Sequence, residues 1–368
     1  MATAAPPVLS TRALNRALLA RQMLLERSRR PMAGAVAHLV GLQAQTPRSP
    51  YLALWSRLAG FDPEALSRLM ARRKVARIVL MRSTIHLVTA DDALFLRPLM
   101  APFLVRGLAT STWRLGLDGL DLDEVAAAGR ALVEAEPLGF SALGARLAER
   151  WPGRDPATLA QVARAHVPLV QVPPRGLWGR SGAVTVTSAE HWLGRPLDAG
   201  ARLDDLVLRY LAAFGPASVL DIQAWCGLTG LGEVVDRLGD RLRRFRNEDG
   251  RALHDLPRAP RPDPDVPAPV RFLPDFDNLT LSHADRTRVI DDEVRRAFMT
   301  RNGVLPGSVL VDGRVEAAWH RDGGALEVRP MRPLSGPERD AVEAEGVALL
   351  GLLDPGGEGA EVRVRAPA

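Results

Sequence analysis

The sequence predicts a mainly α chain of the α+β class, in which tandem helical units are each closed by a small β-hairpin and followed by a β-rich C-terminal portion. Three observations carry this expectation. Apolar residues recur at helical spacing through most of the first 240 positions. Strand-like runs follow each helical set in pairs, within 75–90, 169–187 and 243–256. Beyond a proline-rich stretch at 257–269 the period changes to strands, with turns at Asp312–Gly313 and Asp322–Gly323. A length of 368 residues suits two or three domains at about 150 residues each.

The first unit is expected over 8–92. Ser10 or Thr11 caps the helix "TRALNRALLARQMLL", whose apolar positions stay in phase to Leu25. Pro31 opens "PMAGAVAHLVGL" as a proline at a first helical turn. After the helical "PYLALWSRLA", Asp62 and Pro63 supply the cap and first position of the next helix. "VARIVLMR" and "TIHLVTA" then read as strands around a tight Arg82–Ser83 turn. Helices closed by a hairpin form the winged-helix pattern, with the hairpin as wing. The pattern repeats over 93–198, where four helical segments precede the strands "LVQVPP" and "AVTVT". It repeats again over 199–256, ending in a hairpin tipped by Asp249–Gly250. Six prolines in 257–269 exclude regular structure and leave a stiff linker or surface loop. The remainder, 270–368, reads as a small antiparallel sheet with a closing helix at "GPERDAVEAEGVALLGLL".

Composition narrows the function classes. The single cysteine, Cys226, excludes an internal disulfide framework and a Cys-based zinc cluster. It fits a reducing, cytoplasmic compartment and a role as a small buried apolar residue. No apolar run approaches the ~20 residues a membrane helix needs, so no membrane partner is expected. The arginine-rich, acid-poor start superficially resembles an organelle transit peptide. A helix opening the first unit is the preferred reading, because its apolar phase continues to Leu25. The net charge is +5, and Lys74 is the only lysine, so arginine abundance reflects codon usage as much as function. Its distribution says more. Residues 1–100 hold 15 basic and 5 acidic side chains, leaving 33 and 38 for the rest. A basic N-terminal third on a mildly acidic body is the footprint of a polyanion-facing surface.

Within that third, "LVGLQAQTPR" raises a chemical question. Two side chains at i and i+2 point apart on a helix but share one side of extended backbone. Pro47 disfavours helical geometry at Thr46, and Gly41 adds looseness. The helix is therefore expected to end around Leu42, leaving Gln43 and Gln45 on a non-helical stub aimed at one cavity, with Arg48 just beyond as a candidate DNA contact. An amide has no accessible pKa, so it is no general base, yet it can accept and donate and so hold a water in place. That suffices where the leaving group is already activated. A purine alkylated at N7 or N3 is cationic, and its bond to deoxyribose breaks through an oxocarbenium-like transition state. The plainer reading is that the glutamines cap the helix end or bond to bases.

Other polar positions were weighed similarly. Arg82 at the turn is a candidate phosphate contact, and Thr84 and His86 share one strand face as candidate DNA contacts; all three also suit a scaffold hairpin. "DFDNLTLSHADR" gathers Asp275, Asp277, Asn278, His283, Asp285 and Arg286. Its spacing matches no familiar metal site, so no metal or cofactor is expected. Asp277 and Asn278 are expected to organise a turn, and Arg286 to pair with a carboxylate. Asp277, Asn278, His283 and Arg286 together are candidates for the border of a DNA cleft. Trp113, Trp151, Trp178, Trp192 and Trp319 are scattered and expected mostly in cores.

At this point the chain resembles a known family. The Gln43-Ala44-Gln45 stub with "RIVLMRSTIHLV" downstream is similar to the winged-helix DNA glycosylases of the AlkZ type, linked to resistance against DNA-alkylating natural products. "RYLAAFGPASVLDIQAWCGL", "VRFLPDFDNLTLSHADRTRVI" and "LPGSVLVDGRVEAAWHRDGG" are further landmarks, in order, and the resemblance runs from about residue 10 to about residue 350. It implies removal of bulky N7-alkylguanine adducts from double-stranded DNA, including unhooking of interstrand crosslinks. It also implies that the family's catalytic glutamine–apolar–glutamine motif falls on Gln43, Ala44 and Gln45. A sister branch has aspartate at the last position; Gln45 places this chain with the other. With Lys74 alone available, a lysine-based lyase step is not expected, and the product should be an intact abasic site.

Two rivals remain at the level of sequence: a winged-helix transcriptional regulator, and a noncatalytic DNA-binding resistance protein. Regulators usually dimerise on palindromic half-sites. No long heptad segment is present, and a monomer is expected.

Overall fold

The computed structural model describes residues 5–298, 306–356 and 361–367. The first unit contains β1 (Val8–Leu9), α1 (Thr11–Arg21), α2 (Met32–His38), β2 (Leu42–Gln43), α3 (Ser49–Arg57), α4 (Pro63–Ala71), β3 (Val75–Val79) and β4 (Ile85–Thr89). The second contains α5 (Ala90–Thr110), α6 (Leu122–Ala135), α7 (Phe140–Arg150), α8 (Pro156–His166), β5 (Leu169–Gln171), β6 (Val186–Ser188) and α9 (Ala189–Leu193). The third contains α10 (Leu203–Phe214), α11 (Val219–Cys226), α12 (Leu231–Leu238), β7 (Arg243–Asn247) and β8 (Ala252–Asp255). The C-terminal portion contains β9 (Arg271–Leu273), α13 (Asp292–Phe298), β10 (Gly307–Val311), β11 (Arg314–Asp322), β12 (Ala325–Pro330), α14 (Gly336–Leu353) and β13 (Val362–Val364).

Local chemistry accounts for most of these limits. Ser10 accepts from the Ala13 N–H at 3.2 Å to start α1, and Asp62 accepts from Glu64 at 2.9 Å to start α4 with Pro63 at its first position. Ser218 with Asp221, and Ser335 with Glu338, form reciprocal capping boxes on α11 and α14. Pro156 and Gly336-Pro337 open helices where a missing N–H costs nothing.

The units are not separate bodies. β3 and β4 pair with β2 on one side and with β5 and β6 on the other, in one five-stranded sheet of order β2-β4-β3-β5-β6. The hairpins of the first two units are thus fused. β1 pairs in parallel with β7, placing the start of the chain beside the third hairpin, and α1 packs on α10. The order in the last sheet is β13-β12-β11-β10-β9. The largest core joins Leu18, Ile78, Met100, Tyr210, Leu273 and Val315, which come from every unit. A boundary at 92 therefore cuts through packing, because α1 serves the third unit and the C-terminal sheet as much as the first.

Several expectations change in the folded chain. Residues 257–269 are irregular, as the prolines require, but they form a strap lying along α1 rather than a free linker. Arg12, Arg16 and Arg21 donate to the carbonyls of Pro264, Val266 and Pro260, at 2.8, 2.7 and 3.1 Å. Part of the basic surplus of the first hundred residues is internal. Arg16, Arg21, Arg57, Arg77 and Arg97 are buried. Arg21 grips Asp255 at 2.6 and 2.8 Å, while Arg57 grips Asp277 at 2.8 Å through both nitrogens. The N-terminal third is therefore not uniformly a polyanion-facing surface; Arg29, Arg30, Arg48, Arg72, Arg73 and Lys74 are its exposed cations without a carboxylate partner among the described residues. Among the described residues α5 is long and apolar enough to cross a membrane, with 21 residues and mean hydropathy 1.3, contrary to expectation. Here it packs on β3, β4, α8 and α9, and its buried Arg97 donates to the Ala165 carbonyl at 2.6 Å.

Candidate active site

The glutamine stub is extended, but its helix ends earlier than Leu42. α2 stops at His38, and Val40 and Gly41 both take positive φ, 54° and 91°. Gly41 is required there: a Cβ would sit 2.5 Å from Val88 Cγ1 and 3.2 Å from the Leu87 carbonyl. The bend delivers Leu42 and Gln43 as a short strand against β4, with Leu42 opposite Leu87 and Gln43 opposite His86. The Ala44 N–H extends the pairing to the Ile85 carbonyl at 2.7 Å. Ala44 is fully buried. The strand ends at Gln43 and the chain bends at Gln45, so the two glutamines flank the buried Ala44.

The two amides are held differently. Gln43 is buried, at 6% exposure, and its Oε1 accepts from Arg82 Nη2 at 2.7 Å. Gln45 is exposed, and its Oε1 accepts from the Ile85 N–H at 3.1 Å. One carbonyl lone pair of each is occupied, which orients each amide and leaves its NH₂ and remaining lone pair for a ligand.

Arg82 was expected at a phosphate. It points inward instead, donating to Gln43, to the Trp225 carbonyl of α11 and, at 3.4 Å, to Asn278 Oδ1. Burial, followed by the charge of Arg286, pushes its guanidinium down to about 10, so it stays charged at neutral pH. Arg82 and Ser83 both occupy the left-handed region, at φ 54° and 59°. Such backbone in non-glycine residues costs energy and persists only where surrounding contacts hold it. Thr84 Oγ1 donates to the Met81 carbonyl at 3.0 Å and belongs to the same turn. His86 is fully buried, which corrects the expectation of a DNA contact. Its Nδ1 meets the Thr84 carbonyl at 3.1 Å and its Nε2 has no partner. Burial, reinforced by the Arg82 charge, holds it neutral, with a pKa near 3. Registry places it on the face it shares with Gln43 and Ile78.

The segment 275–283 divides in two. Asp275 accepts from Thr46 Oγ1 at 2.6 Å and from Ser49 Oγ at 2.7 Å, bracing the chain just past Gln45. Asp277 caps a 3₁₀ turn at Asn278–Thr280 and pairs with Arg57. Asn278 donates to the Gly41 carbonyl at 3.2 Å while facing Arg82. These residues border the glutamine stub from behind. His283 does not join them: it lies buried between Ser282 Oγ and the Phe214 carbonyl, near Asp221 and Arg288. Arg286 bonds to the His283 carbonyl at 3.3 Å rather than to a carboxylate. The Asp and His side chains of the segment thus diverge to separate partners.

Sequence reasoning missed two contributions. Arg77 reaches across the sheet to donate to the Ala44 carbonyl at 2.8 Å, between the two glutamines. Its place on β3, one residue from the position opposite His86, was legible only once strand register was known. The loop 173–182 of the second unit, "PPRGLWGRSG", folds beside the stub: the Tyr51 hydroxyl donates to the Gly176 carbonyl at 2.7 Å. Arg48 and Trp178 meet across the resulting cavity of about 480 Å³.

Residues 36–352 match the family described as DNA glycosylase AlkZ-like. An interstrand DNA cross-link repair glycosylase of Streptomyces sahachiroi is 24% identical over 365 residues, covering 90% of this chain and 95% of that protein. The solved structure of Streptomyces sahachiroi DNA glycosylase AlkZ shares the fold, with a TM-score of 0.80 at 23% identity, covering 97% of this chain and 100% of that one. With an extended Gln-Ala-Gln segment framed by Arg82, Asp275 and Asn278, and a family match running from α2 into α14, the chain belongs to the AlkZ-like DNA glycosylase family.

Proposed function

We propose that this DNA glycosylase excises bulky N7-alkylated purines from double-stranded DNA as a monofunctional hydrolase acting as a monomer. The observation that carries the proposal is the pair of glutamine amides flanking the buried Ala44, each with its carbonyl oriented by a single donor. A water accepting from one amide and donating to the other's free lone pair is presented to C1′ of the adducted nucleotide. The cationic purine leaves with the bonding electrons, and the water oxygen closes on C1′ and loses a proton to solvent. No group of high basicity is required, because the leaving purine carries the activation. Arg82 holds Gln43, Asn278 braces Arg82 and the Gly41 carbonyl, Arg77 holds the Ala44 carbonyl, Asp275 holds the Thr46 and Ser49 hydroxyls, and tandem winged-helix units supply the DNA-facing frame.

A lyase step through lysine has little support. Lys74 precedes β3, about 13 Å along the strand from the residue that lies opposite His86. The Streptomyces sahachiroi relative is an interstrand DNA cross-link repair glycosylase. The open setting of Gln45 supports carrying that activity to this chain, since a bulky adduct or a second strand needs an unenclosed site.

The test incubates purified protein with duplex carrying N7-methylguanine or a bulky N7 adduct, followed by alkali. Strand breaks that appear only after alkali are expected. Tight sequence-specific binding to undamaged DNA without breaks would instead favour a regulator, and breaks without alkali would reveal lyase activity.

A further inference from the structure

The cavity beside Gln45 carries an unbalanced charge. It is lined by Thr46, Arg48, Tyr51, Arg175, Trp178 and Arg180 among others, and no carboxylate lines it. Arg48 and Arg180 are exposed and make no side-chain bond among the described residues, while Arg175 donates only to the Gly182 carbonyl at 3.1 Å. Behind the wall lies Arg77, buried, against the Gly176 backbone: a Cβ there would fall 2.8 Å from Arg77 Cδ. Arg77 bonds only to the Gln171 side chain at 3.1 Å and the Ala44 carbonyl at 2.8 Å, and its Nη1 has no partner. A buried cation without a counter-charge is costly. Most other buried arginines here have one: Arg21 has Asp255, Arg57 has Asp277, and Arg288 lies 3.9 Å from Asp221.

We infer that this cavity is an anion site that grips a phosphodiester of the lesion-bearing strand immediately beside the nucleotide under attack, with the second unit's 173–182 loop as one jaw and Arg48 of the first unit as the other. The inference rests on the glycosylase reading for the word lesion, but not for the anion. Four guanidiniums supply the field, the exposed Arg48 and Arg180 supply forked donors matched to phosphate oxygens, and Thr46 links the cavity to Gln45 by one peptide bond. Arg175 and Arg180 thereby become DNA contacts from a loop that reads in sequence only as a proline- and glycine-rich connection.

The experiment measures affinity for undamaged and adducted duplexes across a salt series, using the full chain and the variants Arg48→Gln, Arg180→Gln and their combination. Both side chains are exposed, so folding is retained, and circular dichroism checks this. Each substitution is expected to weaken both duplexes several-fold and equally, and to lower the slope of log affinity against log salt by about one. An unchanged slope in the double variant would overturn the inference. So would a loss confined to bulky-adduct duplex, which would assign the cavity to the appended group. If the parent chain binds undamaged duplex with the arginine-dependent slope yet excises nothing, the glycosylase reading fails while the anion site stands.

Discussion

The first and third hairpins, 75–89 and 243–255, answer to one sequence pattern and meet opposite fates. Each follows a helix, each turns tightly, and each carries arginines. In the first, flanking strands β2 and β5 pair on both sides, so Arg77 and His86 are buried and Arg82 turns inward to Gln43. In the third, the far edge of β8 is free apart from one bridge at Ala217–His254, and β1 covers only two residues of β7. Arg243, Arg244 and Arg246 stay exposed there, while Phe245, Leu253 and Asp255 are buried. A hairpin fused into a sheet becomes the frame of a site, whereas one left at an edge keeps its cations for solvent or a polyanion.

The comparison breaks most sharply at the motif. Gln43→Ala should lower single-turnover excision by about 10²–10³-fold, the scale for removing one preorganised polar group, while duplex affinity changes little. Loss of binding in parallel with loss of activity would make Gln43 a docking residue. Arg82→Ala should come next. It leaves Gln43 Oε1 and the Trp225 carbonyl without their donor, at about 1–3 kcal/mol for each buried acceptor, and slows excision by at least tenfold. Rescue of stability by Arg82→Lys without rescue of rate would identify Gln43 orientation as the sensitive quantity.

Acid should distinguish the hairpins too. His86 is held near 3 by burial and then by the Arg82 charge, against an ordinary value of 6.5. Between those values the unfolded chain binds the extra proton, so stability rises with pH through this window and is lost as pH falls below about 6.5. Thermal midpoints measured from pH 7 down to pH 5 should fall, and His86→Phe should flatten part of that fall. His283 is also held near 3 by burial, and burial lowers His38, His166 and His254, so these four contribute the rest of the histidine effect. The smallest effect belongs to the third hairpin: Arg244→Ala should change stability by less than about 0.5 kcal/mol and leave the excision rate unaltered. An Arg244 effect rivalling that of Arg82 would erase the distinction between frame and edge.

Much of this was legible in advance. Helix starts at Ser10 and Asp62 follow from capping chemistry, which is local, and the proline-rich strap and the Asp249–Gly250 tip follow from backbone restriction, also local. The non-helical geometry of Gln43 and Gln45 was readable from Gly41 and Pro47, though the bend comes at Val40–Gly41 rather than after Leu42. The destinations of the charges were not readable. Whether Arg82 meets a phosphate or an amide depends on β2 joining its hairpin. Whether Arg16 and Arg21 face DNA or the 257–269 strap depends on contacts about 240–300 residues apart in sequence. The sequence by itself determined which segments are helices and turns and that the two glutamines leave the helix, because those are set within a few residues. Only the tertiary structure decided that Arg82 holds the Gln43 amide and that Arg77, Asp275 and Asn278 brace the segment around it, because long-range pairing alone determines which carbonyl or carboxylate an arginine finds.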